Sequence, residues 1–211
     1  MNRAEPQVET IRELPIAALP EGEIGPPLEP AHPTWEALGA WADPLASRGG
    51  YRRGSLKTRV TLDDDTPALA FGYMGRHEHD RCLVTGAASW RDYRVSCRVQ
   101  AQQGYGLPNT DAPLCRHARA GLVFRMATVR HYYFFGLQSQ QRLVLAYRCD
   151  DDWHELAGCD VSYAEQPVTL NVALDGGGIA ADCPELDIAF QATDTRLASG
   201  LAGFRALGRC R

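Results

Sequence analysis

The segment SWRDYRVSCRV, residues 89–99, alternates apolar and polar side chains from Tyr93 onward. The apolar set is Tyr93, Val95, Cys97 and Val99, and the polar set is Arg94, Ser96 and Arg98. A period of two is the repeat of a β-strand, whose successive side chains point to opposite faces. The segment therefore predicts a strand that is buried on one face only, which requires a second sheet to cover that face. The two arginines would face either solvent or a ligand.

Short runs of the same kind continue on both sides of this segment, from about residue 55 to the end of the chain. The runs are SLKTRVTL, ALAFGYM, DYRVSCRVQ, AGLVFRMA, YYFFGLQ, RLVLAYR, WHELAG, PVTLNVAL, GIAADC and LAGFRAL. Gly, Asp, Asn and Pro separate them, which is typical of an antiparallel all-β protein. AGLVFRMA and HYYFFGLQ are apolar on both faces, which favours central strands with a second covered face. We therefore predict an all-β, two-sheet antiparallel sandwich.

Residues 1–50 differ in composition, since they hold eight of the 13 prolines. Proline fits neither a helix interior nor a central strand. We predict a proline-rich arm or linker over residues 1–50 and the sandwich over residues 51–211.

Charge and hydropathy exclude two classes of partner. The formal net charge of -4 argues against nucleic-acid binding, which relies on clustered surplus Lys and Arg. No segment approaches the roughly 18 apolar residues of a membrane span. The start of the chain has no apolar core of a signal peptide, so a cytoplasmic protein is expected. If the chain is part of a longer protein, a secreted or periplasmic location is expected instead.

Seven cysteines are present and none forms a CxxC pair, which argues against zinc-knuckle and thioredoxin-like sites. Cys149 and Cys159 flank CDDDWHELAGC, and a disulfide across that hairpin is conceivable in an oxidising setting. The alternative is that the cysteines are small buried hydrophobic residues. No GxSxG motif and no cysteine beside a histidine partner indicates nucleophilic catalysis.

Five pieces of the sequence, in order, resemble the concanavalin A-like, laminin G-like jelly-roll superfamily of bacterial carbohydrate-active proteins. They are SWRDY (89–93), AGLVFR (120–125), YYFF (132–135), the pair Asp175-Gly176, and GLAGF (200–204). The chain is most similar to the branch that includes the 3-keto-disaccharide hydrolase domain, once called domain of unknown function 1080. The resemblance covers roughly residues 55–211 and implies a ligand on the concave face or the rim loops.

The chain departs from that superfamily in two ways. The ExDxxE motif of the retaining glucanases of this fold is absent, so their two-carboxylate chemistry has no place here. Modules of this type usually continue with another strand after the GxxGF segment, so we expect the last strand to be missing. We also expect a version extended past residue 211 to have the higher thermal midpoint.

The resemblance implies carbohydrate as the ligand, and sugar rings pack on aromatic rings while their hydroxyls bind arginine. The candidate ligand-binding residues are Tyr105, Arg125, His131, Tyr133 and Trp153. Alternation places Arg125 opposite Leu122 and Phe124, and puts Tyr132 and Tyr133 on opposite faces. The loop over residues 101–118 is long enough to border a site. The alternative is that most of these aromatics are core.

Metal sites have weak support. His77 and His79 lie at i and i+2, which would place both on one face of a strand, but no third ligand is evident. Calcium could bind at residues 63–65 or 150–152 only if backbone carbonyls completed the shell, since both runs lack the spaced Asp pattern. Exposed loops and solvated turns are the alternatives.

Three classes of function follow. We expect a non-catalytic carbohydrate-binding or accessory module, attached to a catalytic domain of the same polypeptide. The second is a glycoside hydrolase or lyase-like enzyme resembling the 3-keto-disaccharide hydrolases, using acids such as Asp182, Glu185 or Asp187 with the histidine pair. The third is a structural docking domain, which predicts an apolar convex face.

Overall fold

The structure is a computed structural model, and it describes residues 22–24, 56–63, 66–73, 81–100, 118–138, 142–150, 152–162 and 166–206. It contains thirteen strands in these residues. They are β1 (Gly22–Ile24), β2 (Leu56–Asp63), β3 (Thr66–Tyr73), β4 (Arg81–Thr85), β5 (Arg94–Val99), β6 (Ala118–Thr128), β7 (His131–Gln138), β8 (Arg142–Cys149), β9 (Asp152–Asp160), β10 (Val168–Asp175), β11 (Gly178–Cys183), β12 (Ile188–Thr193) and β13 (Leu201–Ala206). A 3-10 turn, Pro184–Leu186, joins β11 to β12. In these ranges we find no helix with the length and hydropathy needed to cross a membrane.

Two antiparallel sheets form the sandwich. One has four strands in the order β12-β11-β10-β5, and the other has six in the order β4-β13-β6-β7-β8-β9. The turn between β10 and β11 is tight, with Gly176 at a φ of 55°. That left-handed conformation suits glycine, as the Gly-Gly-Gly sequence at this turn predicts.

A third, smaller sheet joins β1, β2 and β3 in antiparallel order. Its strand β1 pairs along β2, with Gly22 opposite Val60. Strand β1 belongs to the proline-rich region. It is an edge strand, the position in a sheet where prolines are tolerated. The rest of residues 1–50 lies outside the described residues.

The main core lies between the four-stranded and six-stranded sheets. The six-stranded sheet contributes the buried side chains of Leu122, Phe124, Tyr133, Phe135, Leu137, Leu143 and Leu145. The four-stranded sheet contributes those of Val99, Val168, Leu170, Val172, Leu174, Ile179 and Ala181. The alternation predicted for β5 and β10 is confirmed, because Tyr93, Val95 and Cys97 pack against this core. Their polar neighbours Arg94 and Arg98 are exposed.

A second cluster of buried residues covers the opposite side of the six-stranded sheet, which we call the outer face. It contains Cys82, Val84, Val123, Met126, Tyr132, Phe134 and Val144, with Trp153 and Leu201 half-buried beside them. The prediction that β6 and β7 are covered on both faces is therefore confirmed. Tyr133 points inward and Tyr132 outward, which settles the orientation that the sequence left open.

The fold class is thus the predicted all-β sandwich, and LAGFRA, the described part of the run LAGFRAL, forms β13 between β4 and β6. Gly200, at a φ of 151°, leads into that strand. Whether another strand follows is not tested, because residues 207–211 lie outside the described part.

The disulfide considered between Cys149 and Cys159 is wrong. Both are free thiols, and the register of β8 with β9 pairs Cys149 with Asp152 and Cys159 with Leu143. The two cysteines are therefore separated by six residues along the ladder, about 20 Å at the rise of a strand. A disulfide needs its Cα atoms within about 7 Å.

Candidate functional site: the outer face around Trp153

A row of three directly opposed residues crosses the outer face on strands β7, β8 and β9. Tyr132 pairs with Arg148, and Arg148 pairs with Trp153. Directly opposite residues in an antiparallel sheet project to the same face and lie close enough to interact. The Tyr132 and Trp153 rings meet edge to face at 5.8 Å between centroids.

The guanidinium of Arg148 is fixed over this row. Its Nη1 donates a hydrogen bond to the Tyr132 hydroxyl at 3.0 Å, and its Nε donates to the carbonyl of Asp150 at 2.9 Å. Its central carbon lies 5.7 Å from the Tyr132 ring centroid and 5.8 Å from that of Trp153. Cation–π contacts of this kind contribute on the order of 1 kcal/mol each. The charge is therefore held in one position beside the indole.

A second arginine approaches Trp153 from β13. The guanidinium carbon of Arg205 lies 4.9 Å from the Trp153 centroid and 5.7 Å from that of Phe134. Phe134 meets Trp153 edge to face at 5.9 Å. Trp153, Arg148, Arg205, Tyr132 and Phe134 together form what we call the Trp153 cluster. Trp153 and Arg148 are half-buried, whereas Arg205, Tyr132 and Phe134 are buried, so Trp153 and Arg148 are the members of the cluster that solvent reaches.

Two glycines make room for the Phe134 ring. Gly121 on β6 pairs with Gly136 on β7, and a Cβ built on either would lie 2.6–2.7 Å from ring atoms of Phe134. The same Cβ would also overlap a backbone carbonyl oxygen, that of Phe135 for Gly121 and that of Ala120 for Gly136. Neither position therefore accepts a side chain without displacing both the ring and the backbone. The bare backbone lets Phe134 lie low on the sheet and reach the edge of Trp153.

Arg125, a predicted ligand-binding residue, lies inside the protein. Its side chain is 0% exposed, and its guanidinium donates to three backbone carbonyls: Gly176 at 2.5 Å from Nη2, Arg91 at 3.3 and 3.4 Å, and Leu197 at 3.4 Å. The Asp92 carboxylate lies 3.8 Å away. Arg125 therefore ties the β10–β11 turn and two loops to the six-stranded sheet.

The predicted outward orientation of Arg125 is wrong because the alternation of inward and outward side chains along β6 ends at Phe124. The register of β6 with β7 shifts between Phe124 and Thr128, and Arg125 takes a φ of 46°. A bulge adds a residue to one strand and turns the next side chain to the other face. The backbone N–H of Arg125 donates to the Tyr93 hydroxyl at 2.7 Å, which holds the bulge.

Tyr133, another predicted ligand-binding residue, lies in the main core. Its hydroxyl donates to Asp194 Oδ1 at 2.7 Å and accepts from the N–H of Leu197 at 3.3 Å. Burial, and then the hydrogen bond to Asp194, raise the pKa of Tyr133. This tyrosine therefore anchors the loop before β13 and faces away from solvent.

The outer side of the four-stranded sheet is polar. Ser96 Oγ donates to Asn171 Oδ1 at 2.7 Å, and Asn171 Nδ2 donates to Asp182 Oδ2 at 2.8 Å, across three strands. Glu185 accepts from the backbone N–H and hydroxyl of Thr169, and these hydrogen bonds lower the pKa of Glu185. Two of the acids considered for an enzyme are thus engaged in hydrogen bonds within the sheet.

The four sequence-predicted residues that the structure describes do not converge on one site. Trp153 lies on the outer face, Arg125 and Tyr133 lie in the interior, and His131 lies at the rim of the sandwich, where β7 begins. Tyr105 lies outside the described residues, as do the metal candidates His77 and His79. Sequence reasoning missed Arg148 and Arg205. Its only available signal was the position of each arginine in an apolar run, in RLVLAYR and in LAGFRAL.

Comparisons with known proteins bear on the fold. No protein-family model matches the sequence, and no curated protein matches it. Among solved structures, a carbohydrate-binding module, CBM66 from Bacillus subtilis, is 11% identical with a TM-score of 0.56, over 81% of this chain and 89% of that one. A Bacillus subtilis protein of unknown function with a galectin-like fold is 13% identical with a TM-score of 0.49, over 81% and 86%. Domain 4 of an extracellular arabinanase from Geobacillus stearothermophilus, solved with arabinotriose, is 13% identical with a TM-score of 0.40, over 76% and 77%. The first of these likenesses shows that this chain has a concanavalin A-like, jelly-roll β-sandwich fold.

Proposed function

We propose that this protein binds carbohydrate, without catalysis by this chain alone, through the outer face of its six-stranded sheet at Trp153. The observation that carries the proposal is a half-buried indole on the edge strand β9 with two guanidinium groups beside it, that of Arg148 on the neighbouring strand β8 at 5.8 Å and that of Arg205 on β13 at 4.9 Å. Aromatic rings pack against the C–H faces of sugars, and arginine forms paired hydrogen bonds with hydroxyls and carboxylates. The similar fold of a carbohydrate-binding module supports the same function.

The half-buried Arg148 further favours an acidic polysaccharide over a neutral one. A carboxylate receives charge-assisted hydrogen bonds from a guanidinium, which are roughly twice as strong as neutral ones. The Arg148 side chain is already held by Tyr132 and Asp150, so little side-chain entropy is lost on binding. We expect acidic polysaccharides to bind more tightly at low salt and to lose this advantage as salt rises.

Affinity electrophoresis through gels that contain acidic or neutral polysaccharides tests the proposal. Retardation of the folded wild-type chain by at least one polysaccharide is expected, together with reduced retardation of Arg148→Gln. Arg98→Gln is the matched control, because it removes the same charge from the exposed outer side of the four-stranded sheet. A folded wild-type chain that no polysaccharide retards would refute the carbohydrate function.

The proposal includes an accessory role beside a catalytic domain of the same polypeptide, in a secreted or periplasmic protein of the 3-keto-disaccharide hydrolase branch. The sequence resemblance supports this part. The genomic reading frame on both sides of residues 1–211 tests it: an adjoining catalytic domain for a polysaccharide is expected, and an isolated frame would contradict it.

A further inference from the structure

A second group of chemically reactive side chains gathers at the rim of the sandwich, where β7 begins and β8 ends. It consists of His131, Cys149 and Asp150, and one ligand atom from each lies within 4.8 Å of the others. His131 and Cys149 are directly opposed in the β7–β8 ladder, so their side chains project to the same face. Asp152 on β9 is the next residue in the same row, opposite Cys149.

The histidine ring nitrogen that faces this group has no conventional partner. Nε2 of His131 is buried from solvent and makes no hydrogen bond to the part of the chain that the structure describes. The nearest carboxylate oxygen, Asp150 Oδ1, lies 3.4 Å from it. A buried imidazole nitrogen without a hydrogen bond costs free energy, because it has lost water and gained nothing in return. A metal ion bound to that nitrogen would remove the cost.

The turn fixes the position of the third ligand. Asp150 has a φ of 54°, its N–H donates to the carbonyl of Arg130 at 3.0 Å, and its own carbonyl accepts from Arg148 Nε at 2.9 Å. Aspartate tolerates this left-handed conformation better than most residues. The backbone therefore holds the carboxylate next to the histidine without help from a metal.

We propose that His131 Nε2, Cys149 Sγ and the Asp150 carboxylate bind a zinc-type divalent transition-metal ion. Tetrahedral zinc with bonds of about 2.0–2.3 Å separates its ligand atoms by about 3.3–3.6 Å, so the observed spacing needs only a small side-chain closure. A nitrogen, a sulfur and an oxygen suit zinc, whereas calcium requires six or more oxygens. Water or Asp152 supplies the fourth position.

Binding transfers one proton and no electrons. His131 binds as neutral imidazole and Asp150 as carboxylate, while the Cys149 thiol releases its proton to solvent as the metal–sulfur bond forms. Tyr147 lies beside the cysteine and forms a hydrogen bond with it. Hydrogen bonds to the ligand atoms of a metal orient them and adjust their affinity. The site does not rest on the carbohydrate function, since it uses the opposite side of the β8–β9 hairpin from Arg148 and Trp153.

Titration of the full chain with Co²⁺, and then with Zn²⁺ in competition, tests the proposal. The wild-type chain is expected to develop a thiolate-to-cobalt absorption band that one equivalent of Zn²⁺ abolishes and Ca²⁺ does not. Cys149→Ser is expected to lose the band, and His131→Gln to weaken metal affinity by more than about tenfold. Cys159→Ser and the double variant His77→Gln/His79→Gln are the controls. Each is expected to keep the absorption band and the metal affinity of the wild-type chain.

Three results would overturn the proposal. They are the absence of a cobalt band in the wild-type chain, an unchanged band in Cys149→Ser, and loss of the band in either control. If Cys149→Ser fails to fold by circular dichroism, His131→Gln and Asp150→Asn decide, because both side chains lie at the exposed rim. Unchanged affinity in those two variants would then contradict the proposal.

Discussion

Replacing Arg125 with methionine tests how the two sheets are held together at one end. Methionine is shorter than arginine but keeps most of the volume of the side chain, and it removes every hydrogen bond of the guanidinium. The short bond to the Gly176 carbonyl is charge-assisted, and such bonds contribute about 1.5–3 kcal/mol. The contacts with Arg91 and Leu197, at 3.3–3.4 Å, are long and add about 1 kcal/mol together. The Asp92 carboxylate is 56% exposed, so that ion pair adds little.

The expected loss for Arg125→Met is therefore about 3 kcal/mol, which corresponds to a fall in the thermal midpoint of about 6–12 °C for a domain of this size. Urea unfolding followed by circular dichroism measures the free energy. Asp92→Asn is the control, because the Oδ1 of the new asparagine still accepts a hydrogen bond from the N–H of Gly176. The free energy of unfolding should fall by less than about 1 kcal/mol in this variant. A loss below about 1 kcal/mol for Arg125→Met, or an equal loss in the control, would refute the role assigned to Arg125.

Four further changes have defined outcomes. Leu170→Ala should cost about 2–4 kcal/mol in urea unfolding, because Leu170 is 0% exposed in the main core, and a loss under about 1 kcal/mol would contradict its placement. Tyr133→Phe should cost about 1–2 kcal/mol by removing the buried hydrogen bond to Asp194, and a neutral result would contradict that bond. Burial raises the pKa of Tyr93 from 10.0 to about 12 despite the hydrogen bond from Arg125, so the native state holds a proton that the unfolded chain loses. Stability should therefore fall as pH rises from 10 to 12, by up to about 3 kcal/mol from this group, and Tyr93→Phe should make the fall shallower; an equally steep fall would exclude Tyr93. Gly136→Ala should lower the thermal midpoint, because its Cβ would overlap the Ala120 carbonyl as well as the Phe134 ring, and an unchanged midpoint would contradict this close packing of β6 on β7.

The strands could be predicted from the sequence because burial on one face imposes a period of two. Leu170 and its neighbours in PVTLNVAL show that period without interruption, and β10 follows it along its whole length. In β7 the same period separated Tyr132 from Tyr133 but could not say which faces the core, since both sides of that strand are apolar. That choice depends on which sheet covers which face, and this is a property of the tertiary structure.

Trp153 and His131 were among the residues predicted from the sequence, but their partners in the two candidate sites could not be predicted, because those pairings depend on register. Arg148 meets Trp153, and His131 meets Cys149, only through the ladders that β8 forms with β9 and β7. Those ladders contain a bulge between Leu145 and Ala146, which no pattern in the sequence marks. The orientation of Arg125 was mispredicted for the same reason, since a bulge reversed the alternation beside it.

The central claim is that carbohydrate binds at Trp153 on the outer face of the six-stranded sheet. Isothermal titration of wild type, Trp153→Ala and Arg98→Gln tests it directly, using a polysaccharide that retards the wild-type chain. A thermal scan first confirms that each variant is folded. The account predicts at least a tenfold loss of affinity for Trp153→Ala, since truncating a tryptophan that anchors a ligand costs about 2 kcal/mol or more, and no change for Arg98→Gln. Equal affinity in wild type and Trp153→Ala would contradict it.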